Sequence, residues 1–191
     1  MNSELHKTGW ISVEVSQGNE NRARATRSER DREYGNIFAE TTTDERWVGD
    51  LGEMVFNSWF KHNGIEGYQW ILEGTAGAPD FVTALNTRIG VKTVKRAVPP
   101  RPNYTAQITA QHAHEPIEQF FFMSYEIDKK MMWLLGGLDR EAFLQRATHY
   151  KAGDQVHANY TIREGHEIYN IEISKLVQPR DWLQSVVTSR S

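Results

Sequence analysis

One apolar run limits what this chain can fold into. Residues 120–125 are Phe-Phe-Phe-Met-Ser-Tyr, with no alternation between apolar and polar positions. A strand with one face in water alternates, whereas a strand that is covered on both faces is apolar almost throughout. The run therefore predicts a central strand in a sheet that other elements cover on both sides.

A helix is expected over residues 43–62, before this strand. Its apolar residues recur at the helical period, and Asn63-Gly64 can end it. Thr43 or Asp44 is a suitable cap, since a side-chain oxygen there accepts a free backbone N–H.

The other predicted elements complete an α/β domain. Further strands are expected at 10–15, 68–72, 80–85, 88–94, 131–135, 159–163 and 167–173. Gly136-Gly137 is expected to lead into a helix that Asp139 caps and Gly153 follows, and a short helix is expected after Pro179. This order predicts a single domain over residues 1–191 with a mixed sheet.

Composition excludes several kinds of site. The chain contains no cysteine, so it has no disulfide bond, no thiolate zinc site and no cysteine nucleophile. Its apolar runs are far shorter than the roughly 20 residues that a membrane helix needs. The N-terminal residues lack the apolar core of a signal peptide, so a cytoplasmic protein with no membrane partner is expected.

Basic residues are concentrated in one interval of a chain whose formal net charge is −3. Between Asp80 and Glu115 there is no acidic residue. The cations of this interval are Arg88, Lys92, Lys95, Arg96 and Arg101. Such an interval predicts a localised site for a polyanion, or else a solvated basic loop.

Residues 16–40 form a second charged segment, at the N-terminal side. Within it, residues 21–33 mix arginines with acidic residues, which predicts a solvated helix or a flexible arm. The same arginines would also suit an arm that embraces DNA.

Asp80 and Lys92 are the residues that most strongly suggest chemistry. Pro79-Asp80 opens one predicted strand, and Lys92 lies in the middle of the next. If these strands pair as a hairpin, Asp80 and Lys92 converge near one end of the sheet. A lysine inside the apolar segment 89–94 requires an anionic partner or a charged substrate. Glu53 lies on a helix face with the small residue Gly49, so it is expected to point at this strand pair.

Three positions in chain order resemble the PD-(D/E)XK nuclease superfamily, which has a restriction-endonuclease-like fold. They are Glu53 in the first helix, Pro79-Asp80 opening the second strand of the core, and Val91-Lys92 in the third. The resemblance covers about residues 44–155 and is to small phage and bacterial members. It implies a mixed central β-sheet flanked by helices. Outside the resemblance, the residue pattern predicts C-terminal strands and a helix over about 156–191.

The resemblance implies a metal-dependent nuclease that hydrolyses phosphodiester bonds of nucleic acid, with DNA favoured over RNA. Asp80 and Glu53 would ligate Mg²⁺ or Mn²⁺ together with the backbone carbonyl of Val91. Lys92 would orient the attacking water or stabilise the developing negative charge. Many nucleases of this class dimerise, so a homodimer is compatible with the resemblance.

Gly90 departs from the pattern of this family, which places Asp or Glu two residues before the lysine as a metal ligand. Glu53 itself, Glu73 or Asp50 would then supply the missing carboxylate, or catalysis is lost and only binding remains. A non-catalytic nucleic-acid-binding module with a nuclease-like fold explains Gly90 directly. A purely structural alternative makes Asp80 the start of a turn and pairs it with Lys92 in a salt bridge.

Contacts to nucleic acid are expected from the basic interval. Backbone phosphates would be contacted by Arg88, Lys95, Arg96 and Arg101. Gln107 and Gln111 would hold a phosphate or a base edge, unless they only form a polar surface.

A different metal site competes with this interpretation. His112 and His114, followed by Glu118, have the first ligand spacing of cupin barrels. On a strand, the two histidines would face the same way and could bind Zn²⁺, Mn²⁺ or Fe²⁺. The flanking glycines of cupins are absent and Pro116 interrupts the segment, which favours a surface histidine pair instead.

Overall fold

The structure is a computed structural model that describes residues 2–34, 46–72 and 77–188. This part of the chain is mixed α/β, with four helices and three β-sheets. It divides into two compact units. The first unit comprises Met1–Glu66, Val91–Pro100 and Phe122–Leu135, and the second comprises Gly67–Gly90, Arg101–Phe121 and Gly136–Ser191. Within the described ranges, no helix has both the length and the apolar composition needed to cross a membrane.

The helices begin and end at residues with recognisable local signals. They are α1 (Gln17–Tyr34), α2 (Trp47–His62), α3 (Arg140–Arg146) and α4 (Pro179–Val187), with short 3₁₀ helices at Ala110–His114 and Ile173–Lys175. Asp139 caps α3 as predicted, because its Oδ1 accepts the Ala142 N–H at 2.8 Å. The caps predicted for α2, Thr43 and Asp44, lie outside the described residues.

Twelve strands are present in the described residues. They are β1 (Ser3–Leu5), β2 (Ile11–Glu14), β3 (Gln69–Trp70), β4 (Phe81–Val82), β5 (Arg88–Arg96), β6 (Thr105–Thr109), β7 (Gln119–Glu126), β8 (Met131–Asp139), β9 (Thr148–Tyr150), β10 (Gln155–His157), β11 (Tyr160–Thr161) and β12 (Ile168–Glu172). Seven of them form one sheet in the order β1-β2-β8-β7-β5-β4-β3. A second sheet has the order β6-β12-β9, and β10 pairs with β11.

The large sheet is mixed. The Glu118 N–H donates to the Arg88 carbonyl at 2.9 Å and the Ile127 N–H donates to the Arg96 carbonyl at 3.0 Å, so β5 and β7 run parallel. β4 pairs antiparallel with both β3 and β5. β7 is the middle strand of the seven, and every residue from 120 to 125 is at most 2% exposed. The central strand predicted from the apolar run is confirmed.

In the first unit, α2 packs on the sheet through its apolar stripe. Leu51 and Phe56 are fully buried, and Trp47 meets the ring of Tyr125 edge-on at 6.0 Å. The α2 backbone comes close to β5 at Gly52, where a Cβ atom would lie 1.9 Å from Thr93 Oγ1. This close approach identifies the face of β5 that carries Thr93 as the face covered by α2.

In the second unit, α3 and α4 cover the start of β7. Phe143 of α3 packs on Phe120 at 5.6 Å between ring centroids, and Trp182 of α4 packs on Phe121 at 4.6 Å. Neighbouring residues of a strand point to opposite faces, so these two helices cover opposite faces of β7. The Trp182 Nε1–H also donates to Gln119 Oε1 at 3.0 Å, which satisfies its polar group inside the core.

Gly136 and Gly137 continue the strand that was predicted to end at residue 135. Both belong to β8, and Gly137 exchanges two backbone hydrogen bonds of 3.0 Å with Val177. A Cβ atom on Gly137 would lie 2.4 Å from the Phe120 carbonyl oxygen. Glycine is required here because two backbones pass close together, and not because the chain turns.

The helix that follows Asp139 is also shorter than predicted. It ends at Arg146, and not near Gly153, because residues 148–150 leave the helix to pair with β12 as β9. Sheet pairing therefore overrides the helical period that continues to Tyr150.

Candidate functional site

The acidic residues of α2 are held by arginines of α1. Arg27 Nε donates to Asp50 Oδ2 at 2.7 Å, and Arg30 Nη1 donates to Asp50 Oδ1 at 2.5 Å. Arg30 also bonds Glu53, from Nη1 to Oε1 at 3.3 Å and from Nη2 to Oε2 at 3.2 Å. Asp50 is 1% exposed and Glu53 is 8% exposed, so both acids are buried. Their ion pairs with Arg27 and Arg30 neutralise their charges inside the protein. The two candidate metal ligands on α2 are thus occupied by guanidinium groups.

Matched spacing on the two helices explains this cluster. Arg27 and Arg30 are three residues apart, as are Asp50 and Glu53, so each pair occupies one helix face. Burial raises the pKa of Asp50 above its usual value of 3.8, while the charges of Arg27 and Arg30 act to lower it. The predicted charged segment is therefore a helix docked on α2 over residues 17–34, and its residues 35–40 lie outside the described part.

Asp80 lies at a β-bulge in the second unit. Phe81 is the register partner of Ile89, yet the Asp80 N–H also donates to the Ile89 carbonyl at 2.9 Å. Two consecutive residues therefore face one residue of β5, which is the arrangement of a bulge. On the other side, the Asp80 carbonyl accepts the Ile71 N–H at 2.9 Å. The backbone of Asp80 is held by both neighbours of β4, and bulges commonly re-aim a side chain beside a functional site.

Gly90 lies in a tight apolar contact at the position where the nuclease pattern places an acid. A Cβ atom on Gly90 would lie 3.0 Å from Ile117 Cδ1, 3.2 Å from Ile117 Cγ2 and 3.5 Å from Phe120 Cδ1. These neighbours are apolar and buried, so a side chain added at Gly90 would begin inside an apolar contact. The glycine is a packing residue in this protein.

Lys92 lies in the middle of β5 and is half-buried. Within the described ranges, no hydrogen bond or ion pair involves its ammonium group. Thr93 faces α2 at Gly52, so the alternation of the strand places Lys92 on the opposite face of β5. The expectation that α2 aims Glu53 at the face of Lys92 is therefore not met. Asp80 belongs to the second unit, whereas Glu53 and Lys92 belong to the first.

The other predicted contact residues are mostly at the surface. Arg88 donates to Glu118 Oε2 from its backbone N–H at 2.9 Å and from Nε at 3.4 Å, and the backbone bond lowers the pKa of Glu118. The exposed members of the set are Lys95, Arg101, Gln107 on β6 and Gln111 in the 3₁₀ helix, while Arg96 is half-buried and Val91 is buried. Glu73 lies outside the described residues.

The histidine motif is not on a strand, which corrects the basis of the cupin-like alternative. His112 and His114 lie in the 3₁₀ helix Ala110–His114, where residues two apart point in different directions. His112 Nδ1 is 2.5 Å from Glu115 Oε2, and His114 is exposed. Across residues 2–34, 46–72 and 77–188, no cluster of three or more His, Asp or Glu side chains could hold a metal ion.

The residues described do not fit a preformed Mg²⁺ site. Mg²⁺ needs oxygen ligands in near-octahedral geometry. Asp50 and Glu53 give their oxygens to arginines, and Gly90 gives none. Sequence reasoning did not pair Arg27 and Arg30 with these acids, and their three-residue spacing was the available signal. No protein-family model matches this chain, and no curated protein matches it.

Proposed function

We propose that this protein binds nucleic acid through its phosphate groups, with β5 as the centre of the contact. The observation that carries the proposal is Lys92, a half-buried cation in the middle of a strand with no ionic partner among the described residues. Removing an ammonium group from water is unfavourable unless an anion replaces its hydration. A phosphate oxygen supplies that anion, and lysine binds phosphate as a point charge.

The charges around β5 support the same ligand. The chain has no acid between Asp80 and Glu115, so no acidic residue of this interval neutralises its cations. By the alternation of β5, Arg96 lies on the same face of the strand as Lys92, and both residues belong to the first unit. Two cations of one strand face would therefore meet the phosphate groups, in a protein that binds nucleic acid without cutting it.

The test is the salt dependence of binding. Fluorescence anisotropy with labelled duplex DNA, single-stranded DNA and RNA is measured over a range of salt concentrations for the wild type and Lys92→Met. Loss of one phosphate contact should weaken binding about tenfold for every sequence and reduce the salt slope by about 1. Lys7→Met, which removes an exposed lysine of the same unit, is the matched control and should leave both quantities unchanged. Equal affinity and slope for the wild type and Lys92→Met would overturn the proposal.

The second candidate function is hydrolysis of the bound nucleic acid, in line with the resemblance to PD-(D/E)XK nucleases. The bulge at Asp80 favours it, because the bulge fixes the backbone of a half-buried acidic residue just before β4. Lys92 would stabilise the negative charge that develops on the phosphate. Incubation of supercoiled, linear and branched DNA with Mg²⁺ or Mn²⁺ tests this function beside Asp80→Asn and Lys92→Met. Cleavage by the wild type that is lost in both variants supports hydrolysis. Binding without cleavage by the wild type supports only the nucleic-acid-binding function.

A further inference from the structure

One strand of the second unit leaves a long open edge. β6 pairs with β12 alone, over five residues and with no shift in register. The other strands at sheet edges in the described residues, β1, β3, β9, β10 and β11, are two or three residues long. A very short edge strand offers little to a second chain, so β6 is the edge on which a sheet can grow.

The backbone of β6 alternates between β12 and this open edge. The Ala110 N–H donates to the Glu167 carbonyl at 2.9 Å, just beyond one end of β6. At the other end, the Ile173 N–H donates to the Tyr104 carbonyl at 2.8 Å. Hydrogen-bonded pairs alternate along an antiparallel ladder, so the N–H and C=O of Gln107 point away from β12. Within the described residues, no hydrogen bond satisfies these two groups.

The sequence of β6 leaves its edge unprotected. The strand is Thr-Ala-Gln-Ile-Thr, with no charged residue and no proline. Charged residues, prolines and bulges are the features that keep edge strands from pairing with another chain. Ala106 is 4% exposed and Ile108 is 2% exposed, so the core holds the strand from one side. Gln107 and Thr109 point the other way and are exposed. The described structure thus presents a fixed strand with an open edge.

The five residues of β6 are complementary to a second copy of themselves. An antiparallel pair of two such strands can place its two-fold axis at Gln107. Thr105 then faces Thr109 of the other copy, and Ala106 likewise faces Ile108. Threonine pairs and apolar pairs are favourable across strands, and no like charges meet. The two Gln107 residues exchange two backbone hydrogen bonds, and their side-chain amides donate to and accept from each other.

We propose that this protein forms a symmetric homodimer in which β6 pairs antiparallel with β6 of a second copy. The contact joins two three-stranded sheets into one continuous sheet and satisfies the outward backbone groups of Gln107. A second copy fits this edge because the strand matches its own reverse in size, polarity and charge. The contact lies in the second unit and does not involve Lys92, so it stands or falls separately from nucleic-acid binding by β5.

Sedimentation velocity tests the dimer over protein concentrations from about 1 µM to 1 mM, because a contact of this size is typical of weak, transient interfaces. The wild type should shift from monomer to dimer across this range. Gln107→Lys places two ammonium groups on the axis and should raise the dissociation constant about fivefold. Thr148→Lys is the matched control, since Thr148 is exposed at the opposite edge of the same sheet. It should leave the dissociation constant unchanged.

A cross-link tests the position of the axis. The chain has no cysteine, so Gln107→Cys carries a single thiol in each copy. The Cα atoms of a hydrogen-bonded antiparallel pair lie about 5.5 Å apart, which is within the range of a disulfide bond. Mild oxidation should therefore link Gln107→Cys into a covalent dimer. Thr148→Cys carries an exposed thiol at the other edge of the sheet and should stay unlinked.

Three results would overturn the proposal. They are a wild type that stays monomeric over the whole concentration range, an equal dissociation constant for the wild type and Gln107→Lys, and a disulfide that forms as readily in Thr148→Cys as in Gln107→Cys. If Gln107→Lys does not fold, Gln107→Pro replaces it, because proline removes only the N–H that points to the open edge. Gln107→Pro should lose the dimer, and an unchanged dissociation constant counts against pairing through β6.

Discussion

Thr93 lies directly against Gly52: a Cβ atom added to Gly52 would be 1.9 Å from Thr93 Oγ1. The contact joins α2 to β5 and decides which face of the strand the helix covers. It therefore also decides that Lys92, the next residue along the strand, points away from α2. Because Gly52 packs against Thr93, α2 and its acids lie on one face of β5, and Lys92 lies on the other. The nuclease pattern would place the acids and the lysine on the same face.

Gly52→Ala should destabilise the protein by about 2 kcal/mol, because the added methyl group forces α2 and β5 apart. Gly49→Ala is the matched control on the same helix, since no atom of the described residues lies within 4 Å of a Cβ atom at that position. Alanine is the better helix former, so Gly49→Ala should stabilise by about 1 kcal/mol. Urea unfolding of both variants measures the difference, and effects of the same sign would contradict the packing described here.

Restoring the acid at Gly90 should not create a nuclease. Gly90→Asp places a carboxylate against the apolar side chains of Ile117 and Phe120 and should destabilise by about 3 kcal/mol. Gly90→Ala should destabilise by about 1 kcal/mol, because the Ile117 side chain has to shift by a few tenths of an ångström. Urea unfolding and a Mg²⁺-dependent cleavage assay test this together. A stable Gly90→Asp protein that cleaves DNA would show that the site accommodates the acid.

Asp50 should make the protein less stable as pH rises. Burial raises its pKa in the folded state above the ordinary value of 3.8, so the folded protein binds this proton more tightly than the unfolded chain. The unfolding free energy therefore decreases as pH rises from below 3.8 through the raised folded pKa. Urea unfolding at several pH values is compared with Asp50→Asn, which lacks the titration. If the wild type instead becomes more stable relative to Asp50→Asn as pH rises, the attraction of Arg27 and Arg30 for the Asp50 carboxylate outweighs the cost of burying its charge.

The central strand could be predicted from sequence because its signal is local. A continuous apolar run identifies a strand covered on both faces, whatever covers it. The Arg30–Glu53 pair could not be predicted in the same way. Three-residue spacing places each set of charges on one helix face, but it does not say which faces meet. The signal at Gly137 was ambiguous for another reason, since glycine serves turns and close backbone contacts equally well.

Tyr125 should stabilise the first unit through its bond to Glu20. The hydroxyl donates to Glu20 Oε1 at 2.5 Å, and Lys130 Nζ lies 3.8 Å from Glu20 Oε2. Tyr125→Phe leaves a carboxylate that is 6% exposed without its donor, so it should destabilise by about 2 kcal/mol. Tyr160→Phe is the control, because Tyr160 is 37% exposed and its loss should change stability by less than about 0.5 kcal/mol.

The same bond predicts how stability changes in alkali. Burial first, and then the Glu20 carboxylate, raise the pKa of Tyr125 above its ordinary value of 10.0. The folded protein keeps this proton where the unfolded chain releases it, so the stabilising contribution is complete below pH 10.0 and decreases above it. The difference in unfolding free energy between the wild type and Tyr125→Phe should therefore shrink as pH rises past this value. A difference that stays constant from neutral pH to strongly alkaline pH would mean that Tyr125 does not hold its proton against Glu20.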